Sequence, residues 1–300
     1  MTAGHVGRTG SLREFAPRRA MLLALLAVLL AFAPGTCLAQ EAPQRVKRDC
    51  QADLFCIEGL AFAEHAEIWL ESLGGQVLTL ALELRANGGA ASRTMRLVLE
   101  RPERRKLLDV SLPRDGDWQI AWDYTYHPGR ASARHDDSVT YRLPYASGQA
   151  YEVIQSYDGG FTHLGPLRFA VDWAMPTGTP VLAARDGVVI GFWEESERGG
   201  PHPVRRGEEN FLWIEHDDGT VAHYLHLQHD GVLVAQGERV TAGQVVALSG
   251  TTGYATQPHL HFHVSTVAPG RDALATLPLR FQTAGGMVIR PEAGRAYLAP

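Results

Sequence analysis

Leu78, Leu80, Leu82 and Leu84 stand at every second position, and Met95, Leu97 and Leu99 repeat the pattern after an Asn87-Gly88 pair. Successive strand side chains point to opposite faces, so a period of two gives one buried and one solvated face. Asn-Gly between two such runs is a hairpin signal. After Asp115-Gly116 the stretch WQIAWDYTY puts Trp118, Ile120, Trp122 and Tyr124 on one face. Short strands separated by turns predict a small β-sandwich over roughly residues 48–145, in a domain taken as 40–145.

The second half is also β-rich but denser in glycine. TPVLAARDGVVIGFW (179–193) and NFLWIEHDDGTVAHYLHL (210–227) each read as a hairpin, around Asp186-Gly187 and Asp217-Gly219. VLVAQGERVTAGQVVALSG (232–250) places Gly237, Gly243 and Gly250 where a compact roll must turn sharply. No long amphipathic helix is visible. The expected fold is all-β: the sandwich, then a compact antiparallel β-roll over 146–285 and a C-terminal tail over 286–300.

Residues 1–39 read as an export signal, because Arg8, Arg13, Arg18 and Arg19 precede the apolar run MLLALLAVLLAFA (21–33), which is short for a membrane span. Cleavage is expected after Ala39; an uncleaved anchor and a lipoprotein on Cys37 are the alternatives. Removing the signal leaves 24 Lys and Arg against 32 Asp and Glu, a net charge of −8 against −5 for the whole chain. An acidic mature chain argues against nucleic acid as a partner, since phosphate binding needs clustered positive charge. Cys50 and Cys56 then form an even pair, expected as a short-loop disulfide in an oxidising compartment.

PHLHFHV (258–264) sets His259, His261 and His263 on one strand face and Leu260, Phe262 and Val264 on the other. The histidine row fits either a polar face or a metal site. Upstream, His163 and Asp172 lie in THLGPLRFAVDWAMPTGTPV (162–181), with the carboxylate flanked by Val171 and Trp173. A buried carboxylate needs a metal or a basic partner, although an Asp that caps a turn is the common case. By strict alternation Ala222, Tyr224 and His226 share one face and His223 and Leu225 the other, so His226 is the better candidate for a shared site. His127, His135 and Asp136-Asp137 fall in a Gly/Ser/Arg-rich stretch and are expected at the surface. EESERGGPHPVRRGEEN (194–210) reads as a long loop, a candidate groove wall or lid.

Together, His163 with Asp172, GTPVLAARDGVV (178–189), Tyr224-x-His226 and SGTTGYATQPHLHFHV (249–264) resemble the M23 family of LytM-domain, lysostaphin-like zinc peptidases, over about residues 155–265. The resemblance implies one zinc per chain, with His163, Asp172 and His261 as ligands and His226 and His259 as catalytic histidines outside the coordination sphere. Two His and one Asp with a fourth position open is the arrangement of a catalytic zinc. Eight residues, LGPLRFAV, separate His163 from Asp172 where the family commonly has three, so a small loop must join the two. Asp158 is the substitute should His163 point away. His263 stands where the family often has Glu or Gln, and is expected as a solvent-facing residue at the strand end, with support of His261 as the alternative. No H-E-x-x-H helix is present.

The function implied is an exported zinc metalloendopeptidase, in the periplasm or cell envelope, hydrolysing peptide cross-links of bacterial peptidoglycan. The alternative is a catalytically inactive LytM module that binds or activates another wall hydrolase. Peptidoglycan peptide stems are the expected partner, with room for a regulatory protein and with no membrane span after signal cleavage.

Overall fold

The computed structural model describes residues 10–11, 43–51, 54–86, 93–112, 118–267 and 274–300. The apolar run 21–33, Cys37 and the pairs Asn87-Gly88 and Asp115-Gly116 lie outside the described residues.

Seven strands build the first half: β1 (Gln44–Gln51), β2 (Phe55–Ala61), β3 (His65–Ser72), β4 (Leu78–Ala86), β5 (Arg93–Leu99), β6 (Glu103–Ser111) and β7 (Ile120–Pro128). With the short strand Gly10–Ser11 they form two four-stranded antiparallel sheets, β1-β2-β3-β6 and one that runs Gly10–Ser11, β7, β4, β5. Phe55, Ile57, Ile68 and Leu70 of one sheet share a buried cluster with Leu78, Leu80, Leu82, Leu84, Trp122 and Tyr124 of the other. The period-two rows are thus the facing inner surfaces of a sandwich. Cys50 and Cys56 are directly opposed in the β1–β2 register and joined by a disulfide.

The second half is a larger antiparallel sheet. The labelled strands of this half are β8 (Ala150–Gln155), β9 (Val171–Trp173), β10 (Gly187–Trp193), β11 (Asn210–Glu215), β12 (Val221–Val232), β13 (Gly253–Tyr254) and β14 (Leu260–Val267). The spatial order is Arg239–Val240, β10, β11, β12, β14, β9, β8, Ala296–Leu298, and β13 stands apart, paired with Gly199–Gly200. Val171, Trp173, Tyr224, Leu260 and Phe262 fill the core on one face. The segment set apart as a tail supplies the edge strand Ala296–Leu298, which pairs with β8 and buries Tyr297.

The halves meet along the hairpin turn between β11 and β12. Ile190, Trp213 and Val221 join the first-half cluster, while Tyr141, Leu143 and Tyr145 pack in the second. Arg130 ion-pairs with Glu215, and Arg134 donates its backbone N–H to the Asp218 carbonyl at 2.9 Å. This seam corrects one expectation. His127 is buried within β7, opposite Thr79, and the His135 side chain is 8% exposed; Asp136 and Asp137 do lie at the surface. A run of polar and turn residues was covered by a non-local neighbour, which composition does not report.

His216, at the same seam, donates Nδ1–H to the Asp186 carbonyl at 2.8 Å. Burial pushes its pKa down to about 4, with the nearby Arg185 cation adding to the effect. The folded pKa lies below the unfolded value of 6.5, so the unfolded chain binds the extra proton between the two. Stability from this group is therefore complete above about pH 6.5 and is lost, at up to about 1.4 kcal/mol per unit, as the pH falls toward 4. His216→Gln keeps a donor for Asp186 but cannot titrate. Chemical denaturation from pH 7 to 4 should show a shallower loss in the variant, by close to one proton; parallel curves would refute the assignment.

Candidate functional site

Antiparallel pairing does most of the assembly. Asp172 on β9 is directly opposite His261 on β14, and residues so opposed place their side chains on one face about 5 Å apart. His261 Nδ1 lies 2.8 Å from Asp172 Oδ1. His163 arrives from the connection between β8 and β9, which carries a one-turn 3-10 helix at Gly165–Leu167 and is closed by Asp158 N–H donating to the Arg168 carbonyl at 2.7 Å. Those turns take up the eight intervening residues and seat His163 Nε2 at 3.1 Å from Asp172 Oδ1 and 3.3 Å from His261 Nδ1. The three donor atoms lie within 4.8 Å of one another and all three residues are buried. Asp158, the substitute, is ion-paired with Arg168 at 2.9 Å instead.

His226 reaches this group by a different route from the one alternation implies. In the β12–β14 register Tyr224 opposes Phe262, Leu225 opposes His261 and His223 opposes His263. The face shared by Ala222 and Tyr224 is therefore the core face, away from Asp172. His226 would follow them, but its backbone is left-handed, with φ +62°, and the β11–β12 register slips at this point. A bulge of this kind re-aims one side chain. The ring comes to rest 4.5 Å from that of His259 and 6.0 Å from that of His261, centroid to centroid.

His263 is a second correction. It is fully buried, with Nδ1 3.0 Å from His261 Nε2, and its ring stacks on His223 at 4.2 Å. His223 in turn is hydrogen-bonded to Ser265 Oγ at 2.8 Å. The strand-end reading failed because β14 runs on to Val267, with β12 on one side and Leu274–Thr276 on the other.

The hydrogen bonds assign the tautomers. The carbonyls of Ser156, Thr252 and Gln257 accept Nδ1–H from His163 (2.9 Å), His226 (2.7 Å) and His259 (2.9 Å), which leaves the Nε2 lone pair of each ring free. His261 is reversed: its Nε2–H donates to His263, and Nδ1 turns inward. Gln155, opposite Asp172 in the β8–β9 register, donates from Nε2 to Asp172 Oδ2 at 2.9 Å and leaves Oδ1 to the imidazoles. Nothing in the residue pattern marks Gln155, whose part depends on that register.

Burial alone would raise the Asp172 carboxyl, but the imidazoles of His261, His259 and His163 outweigh it and hold the group well below the usual carboxylate range. Burial pushes His261 down to about 4 against the pull of Asp172, and pushes His226 well below the ordinary value with His259 and His261 adding to the effect. His163 goes the other way: burial lowers it, and the Asp172 charge more than restores it. A neutral His261 beside an ionised Asp172 is the protonation state a cation needs in those two ligands.

Asp172, His226, His259 and His261 lie at a cleft of about 580 Å³, walled by Phe161, Leu164, Tyr254 and Arg206 among others. Arg206 belongs to the 194–210 segment, which therefore forms part of the groove wall.

An antiparallel β domain with a His/His/Asp group able to hold a metal, and two more imidazoles at the same cleft, defines a class of candidate metal-dependent hydrolases. Residues 167–272 match the model of peptidase family M23. The match takes in Asp172, His226, His259 and His261; His163 precedes it. The chain is 32% identical over 146 residues to the peptidoglycan DD-endopeptidase ShyA of Vibrio cholerae, covering 47% of this chain and 31% of that protein. It is 34% identical over 138 residues to the glycyl-glycine endopeptidase ALE-1 of Staphylococcus capitis, covering 46% and 34%. The solved structure of lysostaphin from Staphylococcus simulans aligns at 29% identity and a TM-score of 0.31, covering 42% of this chain and 47% of that one. The chain thus spans about a third of the length of the two curated relatives.

Proposed function

We propose that this protein is an exported zinc metalloendopeptidase of the cell envelope that hydrolyses peptide cross-links of bacterial peptidoglycan. The observation that carries this reading is the meeting of all five candidate residues in one group, four of them at the cleft and His163 buried against Asp172 and His261. Their donor atoms suit zinc: two imidazole nitrogens and one carboxylate oxygen within 4.8 Å of one another, each with its other hydrogen-bonding atom engaged by a neighbour. His163 Nε2, Asp172 Oδ1 and His261 Nδ1 would hold the ion. Bound zinc supplies a Lewis acid that polarises a carbonyl and makes water a nucleophile near neutral pH.

The chain's own residues do the rest. His226 and His259 keep Nδ1–H on backbone carbonyls, so each offers Nε2 to take a proton from the attacking water and return it to the leaving amine. Both rings are buried at the foot of the cleft, where a hydrogen bond to the developing oxyanion gains strength from the exclusion of water. The substrate class is supported by the names of the relatives ShyA and ALE-1. Retention of every candidate ligand and proton handler favours an enzyme over an inactive binding module. Among the described residues no helix is long and apolar enough to cross a membrane.

Digestion of purified sacculi tests the proposal. Mass analysis should find soluble muropeptides cut within their cross-links, each cut adding one water. A chelator should stop the release and zinc restore it. Sacculi left intact by a protein that binds no zinc would end this reading; release seen only with a separate amidase present would replace it with the activator.

A further inference from the structure

Three arginines lie on the loop between β10 and β11, and they are not equivalent. Arg198 and Arg205 both reach Glu208, at 3.3 and 2.9 Å. Arg206 follows the 3-10 turn Pro203–Arg205, donates its backbone N–H to the Pro203 carbonyl, and turns its guanidinium over the Tyr254 ring, 5.1 Å from the centroid. Among the described residues that line the cleft it is the one with a permanent positive charge. The carboxylate of that lining, Asp172, is already engaged by Gln155, His163 and His261.

The wall that presents Arg206 is fixed at both ends. Asn210 bonds Ser196 through both the N–H and the carbonyl of that residue, and Gly199–Gly200 pairs with β13. At Gly253 on β13 a larger residue is excluded by crowding as well as by conformation: its φ is +75°, and a Cβ there would stand 2.8 Å from the Glu209 backbone. Tyr254 is also two residues from Thr252, whose carbonyl holds His226. Phe161, 59% exposed, packs its ring 5.6 Å from that of Tyr254 and extends the same wall. A peptide lying along Phe161 and Tyr254 is therefore guided toward His226 and His259. A guanidinium stacked on an aromatic ring keeps its N–H edge free, in the fork that matches a carboxylate.

The geometry points to Arg206 as a specificity-determining residue that binds a free carboxylate of the peptide substrate, with the Tyr254 and Phe161 rings as its platform. This rests on the endopeptidase reading and narrows it to stems that carry an unamidated carboxylate near the scissile bond. The carboxylate is either a branch along the stem or the terminus of the chain.

Three synthetic cross-linked stem peptides separate these cases: one with every carboxylate free, one with branch carboxylates amidated, and one with terminal carboxylates amidated. Arg206→Gln should raise KM about tenfold on the free peptide and change nothing on the peptide whose amide replaces the recognised group. Arg206→Lys should recover part of the loss. KM of the wild type should rise with ionic strength and that of Arg206→Gln should not. Equal KM for wild type and Arg206→Gln on all three peptides overturns the inference. If the wild type cleaves none of them, the endopeptidase reading fails. Calorimetric binding of the same peptides to His226→Ala, with and without Arg206→Gln, then decides the carboxylate site separately: a tenfold weaker Kd confined to the free peptide supports it, and no difference refutes it.

Discussion

Replacing His261 by alanine should remove zinc and hydrolytic activity together. Its Nδ1 lies 2.8 Å from Asp172 Oδ1 and 3.3 Å from His163 Nε2, the first being the shortest contact within the triad. Four-ligand structural zinc sites are worth roughly 10–16 kcal/mol, so one ligand carries roughly 3 kcal/mol, or about a hundredfold in affinity. Asp172→Ala should act alike and for a further reason, since it leaves His163 and His261 without the carboxylate that orients them. Metal content after dialysis against a weak chelator, beside circular dichroism to verify the fold, checks both variants. A folded His261→Ala protein with one zinc per chain would place the metal elsewhere.

His259→Ala should separate what His261→Ala joins: one zinc retained and turnover reduced about a hundredfold to ten-thousandfold. The two histidines share a strand face but not a register. His261 is directly opposite Asp172, whereas His259 precedes β14, is bridged to Gly250, and has Nε2 3.9 Å from Asp172 Oδ1. Its Nδ1–H is fixed on the Gln257 carbonyl, so the exposed nitrogen is the basic one. A proton handler deleted from an intact metal site lowers kcat and leaves metal affinity near the wild type. Loss of zinc from His259→Ala would mean that His259 and His261 exchange roles.

The residue pattern carried much of the architecture. Leu78 to Leu84 and Trp118 to Tyr124 foretold the inner faces of the sandwich because an amphipathic strand is a local property, set by a period of two and a single buried side. Leu260 and Phe262 against His259 and His261 worked for the same reason. The cysteine pair was legible because a short loop between two cysteines allows a hairpin disulfide, and the β1–β2 register provides it.

The failures share a cause as well. Alternation assigned His226 to the face of Tyr224, and a left-handed residue at a register slip moved it to the other. His263 was assigned to solvent, and His223 from the neighbouring strand covers it. His127 was read as surface and lies in a strand at the seam of the two halves.

By itself, then, the amino-acid sequence determined the strands, their buried faces and the stock of ligand chemistry in His163, Asp172, His226, His259 and His261. The tertiary structure decided which imidazole meets which atom: the loop that seats His163, the bulge that turns His226, and the His261–His263 bond that points Nδ1 at Asp172. Periodicity is written along one strand, whereas register, bulges and cover come from strands distant in the chain, and a donor set closes only when those distant partners are in place.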